Sequence, residues 1–131
     1  DWLVQMKSEA GFARAAGVEL VLFDCARYFH KAAGIDGLAQ IAKDLGARAD
    51  PRKLASAALC YENATVRRLG YMLERAGHLR QARALEPFAG KAKSIKPLDP
   101  SARPLHAALA GPGEKDMKWK LAINVPVEAD F

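Results

Sequence analysis

The side chains able to do chemistry are few, and their spacing does not join them. His30, His78 and His106 lie far apart. None stands in the H-x-x-x-H or Cys/His spacing that puts two metal ligands on one helix face. Each reads as a surface or helix-end histidine. Cys25 and Cys60 belong to no C-x-x-C pair and suit two lone thiols in a reducing cytosol. Gly111-Pro112-Gly113-Glu114-Lys115 lacks the G-x-x-x-x-G-K-[ST] spacing by which backbone N–H groups cradle a phosphate, and reads as a flexible turn. A G-x-S-x-G nucleophile elbow is absent as well. Asp24 has the most unusual setting, because it stands among apolar residues. A carboxylate there must be paired or protonated. Catalysis would need a second acid or a metal beside it, and the sequence offers neither. An ion pair with a neighbouring helix, through Arg68, is the expectation. No catalytic residue, metal site or cofactor is expected, and the chain reads as a binding domain, not an enzyme.

The basic residues offer a different chemistry. Arg67, Arg68 and Arg75 share one predicted helix, and Arg80 and Arg83 follow on the next. Lys91, Lys93 and Lys96 come from a loop, and Lys118 and Lys120 from the polar side of the last predicted strand. If Arg67, Arg68, Arg75, Lys91, Lys93, Lys96, Lys118 and Lys120 converge, they form a surface for DNA phosphates or an acidic partner. The net charge of +5 favours anionic partners but also serves solubility. A solvated face is the alternative, since no helix-turn-helix with an exposed recognition helix is visible.

The elements that must position these residues follow from periodicity. Trp2–Met6 reads as a strand and Phe12–Ala16 as a weaker one. From Val18, apolar residues recur at helical spacing (Val18, Val21, Leu22, Cys25, Ala26, Phe29), with Leu20 and Phe23 off that stripe. A helix apolar nearly all round should be central. Asp36 is placed to cap a helix from Gly37 to about Leu45, with Ile35, Leu38, Ile41, Ala42 and Leu45 on its buried side. Asp50-Pro51 pairs a capping acid with Pro at the first helical position, starting a helix that runs to about Leu59 or Tyr61. Asn63 is expected to cap the best-defined helix, Ala64 to Ala76, closed by Gly77. A short helix from Leu79 should stop near Leu85, before Glu86-Pro87. Gly90 to Gly113 holds four prolines and three glycines and reads as loop, with an extended piece at Ser94–Leu98. Lys118 to Glu128 alternates strictly, with Trp119, Leu121, Ile123, Val125 and Val127 on one side. That is a half-buried strand. The expected class is therefore α+β: about five helices packed on a small, antiparallel sheet built from strands near both chain ends.

Composition agrees. The 131 residues, 50% hydrophobic and 27% charged, make one domain with an ordinary globular balance. No apolar run approaches the ~20 residues that span a bilayer, so a cytoplasmic location is expected. The chain opens at Asp1 without a Met, which suggests a piece of a longer protein.

Four segments in order resemble a known family. They are Gly17-Val18-Glu19-Leu20-Val21-Leu22-Phe23-Asp24, then Val66-Arg67-Arg68-Leu69-Gly70-Tyr71-Met72-Leu73-Glu74-Arg75-Ala76-Gly77, then Lys96-Pro97-Leu98-Asp99-Pro100 with the Trp119–Val125 strand. The chain, from about Gly11 to its end, resembles the C-terminal domain of the AbiEi antitoxins of bacterial abortive-infection toxin–antitoxin systems. The resemblance implies an antitoxin that counteracts a nucleotidyltransferase-type toxin, with or without a stable complex. It also implies a transcriptional regulator whose N-terminal winged helix, absent from these 131 residues, does most of the DNA binding. An accessory, non-specific DNA-binding role for this domain is the alternative. Read physically, Leu69 and Leu73 are core positions, and Gly70 admits close approach of another element.

Overall fold

The structure, a computed structural model, describes residues 17–29, 34–100 and 115–124. Five helices run through them: α1 (Gly17–Tyr28), α2 (Gly34–Leu45), α3 (Pro51–Ala58), α4 (Asn63–Arg75) and α5 (Leu79–Gly90), with a 3-10 turn at Gly46–Arg48. Three two-residue strands follow, β1 (Lys96–Pro97), β2 (Lys115–Asp116) and β3 (Leu121–Ala122). The class is α+β. The predicted strands at Trp2–Met6 and Phe12–Ala16, together with His30, His106 and the Gly111–Glu114 turn, lie outside the described residues.

Helix boundaries follow local chemistry, with three corrections. Asp50 caps α3 as its sequence suggests, its carboxylate accepting from Arg52 N at 2.8 Å. α2 begins two residues before the expected cap, so Asp36 lies in its first turn, where the positive end of the helix dipole still favours an acid. At α4 the N-cap position is held by Glu62, which makes no side-chain cap bond. Asn63 is the first helical residue, and its amide donates to the Phe88 carbonyl at 2.8 Å. α5 continues through Pro87 to Gly90. Pro87 removes one N–H donor, but it stands on the exposed side of the last turn, where water can serve the orphaned carbonyl. The end of α4 is as expected: Gly77 has φ +87°, His78 N donates to Leu73 O at 2.9 Å and Gly77 N to Glu74 O at 3.0 Å. This is a Schellman closure, which needs the left-handed backbone that glycine adopts without strain.

α4, rather than α1, is the central helix. It packs against α5, α1 and α2 and has nine consecutive buried residues, Thr65 to Leu73. The helical core joins Leu22, Phe23, Leu38, Leu54, Leu69 and Leu85, all fully buried. On α1, Leu22, Cys25 and Ala26 are buried, as is Phe29 just after it, while Val18, Leu20 and Val21 are only half-buried.

The sheet is mixed rather than antiparallel. Its order is β1-β3-β2, with β1 parallel to β3 and β2 antiparallel to it. The expected long strand from Lys118 is broken by a turn: Lys115 and Asp116 pair back onto Ala122 and Leu121, forming a hairpin. Within it Asp116 Oδ1 accepts from Trp119 N at 2.9 Å. β1 then adds to the free side of β3, Lys96 N donating to Lys120 O at 3.1 Å and Leu98 N to Ala122 O at 2.8 Å. The alternation in the sequence still records burial, since Trp119 and Leu121 are fully buried and Lys118 is exposed.

Candidate functional site

The R-R-L-G segment of α4 is where the helical layer meets the strand region. A helix face that turned only leucines to a neighbour would leave the carbonyls of an irregular segment without partners. Arg67 and Arg68 meet them instead. Arg67 Nη1 donates to Ser94 O at 3.0 Å and to Lys120 O at 2.8 Å. Arg68 Nε donates to Pro97 O at 3.1 Å. Both arginines are buried, at 2% and 8% exposure, so they belong neither to an exposed basic surface nor to a solvated face. Burial lowers the pKa of each guanidinium; for Arg68 the Arg67 charge adds to this, opposed by Asp99 and Glu62.

Gly70 lies one turn further on. A Cβ there would stand 2.2 Å from the ring of Trp119. Only glycine lets this fully buried indole lie against the α4 backbone, so the element that approaches Gly70 is the β2–β3 hairpin. The Trp119 Nε1 donates to Glu74 Oε1 at 3.3 Å. Glu74 Oε2 also holds the Lys118 ammonium, which reaches Glu86 at 2.8 Å. These two acceptors raise the pKa of Lys118.

Lys120 is the strained residue of the hairpin, with φ +53°. A side chain in this region costs about 1–2 kcal/mol and persists where surroundings over-determine it. Here the Lys120 carbonyl accepts from both Lys96 N and Arg67 Nη1, while its Nζ donates to Ala92 O at 2.7 Å.

The eight basic residues singled out by sequence therefore separate. Arg67 and Arg68 are buried fasteners, Lys120 is tied to Ala92, and Lys118 is in an ion-pair cluster. Arg75 is exposed and lies over the Tyr71 ring at 5.7 Å. Lys91, Lys93 and Lys96 are exposed and come together with Arg67 around an open cleft of about 440 Å³ beside the first turn of α4. Sequence reasoning found those lysines but not the cleft, because nothing in the local pattern says that residues 91–96 double back over the start of α4.

Asp24 also has a partner other than the expected Arg68. It accepts the Tyr61 hydroxyl at 2.6 Å, and the Tyr61 ring stacks on Phe23 at 4.8 Å. The tyrosine hydroxyl is pushed up by burial first and by its bond to Asp24 second. Glu19, buried near the start of α1, accepts Asp50 N at 2.9 Å and so fixes the approach to α3. His78 Nε2 stands 3.0 Å from Lys43 O, its ring against Gly46. Among the described residues no three His, Cys, Asp or Glu side chains are grouped to hold a metal ion. No described helix is long and apolar enough to cross a membrane.

Comparison with known proteins gives one family. Its model, described as the AbiEi antitoxin C-terminal domain, matches residues 4–75. No significant match was found among curated proteins or among solved structures. The matched stretch covers more than half of the chain and takes in α1, α2, α3 and α4 with Arg67, Arg68 and Gly70. It ends before the strand region, so the Lys96–Pro100 and Trp119–Val125 segments of the resemblance lie beyond the match. On that match, with the R-R-L-G helix at the centre of the fold, the chain belongs to the AbiEi antitoxin C-terminal domain family.

Proposed function

We propose that this domain is the non-catalytic, toxin-counteracting part of a bacterial toxin–antitoxin pair, working in the cytoplasm against a toxin of the nucleotidyltransferase class. The observation that carries the reading is the family match over residues 4–75, which assigns an antitoxin domain. The toxin class comes from the resemblance in the helical segments. Binding alone suffices for neutralisation, whether of the toxin itself or of a shared target, and the residues of the R-R-L-G segment act in folding rather than in chemistry. The test is co-expression of the 131-residue chain with a nucleotidyltransferase toxin from the same locus. Restored growth is expected. Continued growth arrest with this chain, against rescue by a longer chain that includes a winged helix, would place neutralisation outside these residues.

A second reading is accessory DNA binding beside a winged-helix repressor domain. It is favoured by the gathering of exposed Lys91, Lys93 and Lys96 around one cleft. Such contacts read phosphates and not bases, so binding should ignore sequence and fall steeply with salt. Filter retention of unrelated duplexes between low and moderate salt checks this; a salt-independent or sequence-selective signal would count against it.

A further inference from the structure

The start of α4 has more positive character than its fold needs. Glu62, at the N-cap position, makes no side-chain bond to the first turn, and Asn63 spends its amide on Phe88 O. The first backbone N–H groups of a helix have no partner inside it and form the positive end of its dipole. Asn63 and Ala64 of this first turn line the cleft that also carries Lys91, Lys93 and Lys96.

Arg67 supplies an independent observation. It lines this cleft although it is 2% exposed. Its Nη1 is committed to two carbonyls, but its Nε is buried without a hydrogen-bond partner among the described residues. No described carboxylate is bonded to its guanidinium. A buried charge left with carbonyl dipoles alone is costly, and a nearby anion would offset that cost. The cleft is lined by four basic side chains and one acid, Glu62, which is itself exposed.

We propose that this cleft binds a phosphate group, held by the first backbone amides of α4, by the Arg67 guanidinium beneath and by Lys91, Lys93 and Lys96 around it. Its volume of about 440 Å³ suits a nucleotide-sized ligand. The same donors serve a phosphate on a small molecule and one in a nucleic-acid backbone. The site sharpens the DNA reading without resting on it, and it is independent of toxin neutralisation.

The test is titration of the ¹⁵N-labelled 131-residue chain with inorganic pyrophosphate and, separately, with a short oligothymidylate at low salt. Amide shifts are expected to concentrate at residues 63–65 and 91–96. The double substitution Lys91→Gln/Lys93→Gln should weaken binding by about tenfold or more, the scale of losing charge-assisted bonds. Both lysines are exposed, so the circular dichroism should not change. Arg52→Gln/Arg80→Gln, at a separate cleft beside α3, should leave the affinity unchanged. Binding of pyrophosphate alone assigns a small phosphorylated ligand, and binding of the oligonucleotide at the cleft assigns a backbone phosphate. Oligonucleotide binding with shifts elsewhere, insensitive to the lysine pair, overturns the site while leaving the DNA reading in place. The absence of shifts with either probe also overturns it.

Discussion

The helical layer and the strand region of this domain are held together by different physics. Within α1 to α5, leucines, alanines and Phe23 bury themselves against one another, and polar groups intervene at a few points such as the Tyr61–Asp24 bond. Among the described residues the strand region has three strands of two residues each, too little ladder to be stable alone. It is fixed to the helical layer by one large ring, Trp119 on Gly70, with Leu98 and Leu121 buried in the same core, and by charged side chains donating to its carbonyls. Apolar burial is non-directional and tolerates changes of shape. Carbonyl capture by buried guanidinium is directional, and removing one partner leaves desolvated groups behind. The helical layer should therefore degrade gradually under mutation, and the strand region all at once.

The sharpest way to break that contrast is at the indole. Trp119→Ala should cost about 3–5 kcal/mol, the range for emptying a buried aromatic site. Denaturant unfolding followed by circular dichroism would measure it, and the native spectrum should keep its helical intensity while the strand region loosens. A loss below about 1 kcal/mol would show that the ring is not the anchor.

Arg67→Met comes next. It keeps the aliphatic stem and removes the donors to Ser94 and Lys120, with an expected cost of about 1.5–3 kcal/mol. Faster amide exchange should appear at Lys96 and Leu98 and not in α1. Equal protection everywhere would mean that the two regions unfold as one.

A third comparison is by pH. Cys25, on the buried side of α1, has its thiol pushed up from 9.0 to about 12 by burial and then by the Asp24 charge. The folded state thus favours the protonated thiol. Its contribution is complete below the unfolded value near 9.0 and is lost as pH rises from there toward 12. The Tyr61 hydroxyl is raised as well and acts in the same direction. The unfolding midpoint should be level near neutrality and fall above about pH 9, with a shallower fall in Cys25→Ala. At mildly alkaline pH the exposed Cys60 should alkylate while Cys25 reacts only after unfolding. The smallest effect belongs to Lys118→Ala, whose ion pairs with Glu74 and Glu86 are half in solvent; a change within about 0.5 kcal/mol is expected.

The helical layer was readable because each helix announces itself locally. Asp50-Pro51 starts α3, Gly77 closes α4, and the spacing of Ile35, Leu38 and Ala42 marks the inner face of α2. Where boundaries moved, a local signal was outweighed by a tertiary one: Asn63 abandons capping for the Phe88 carbonyl, and α5 runs past Pro87 because that residue faces solvent. The strand region was readable in its burial and not in its shape. Alternation put Trp119 and Leu121 inside, but a hairpin with a left-handed Lys120 also alternates. The candidate site was the least legible part. Arginines on a helix read as an exposed stripe unless something is known of what lies over them.

What the sequence determined by itself is the set of helices, the α+β class and the antitoxin family, because periodicity, caps and ordered motifs are local properties of the chain. Only the tertiary structure decided which charges remain at the surface. Arg67 and Arg68 could have faced water; the return of residues 94–97 and of the β2–β3 hairpin over α4 turned them into buried donors and left Lys91, Lys93 and Lys96 around an open cleft. The fate of a charged side chain depends on the unpaired carbonyls brought beside it, and those come from residues up to 53 positions away.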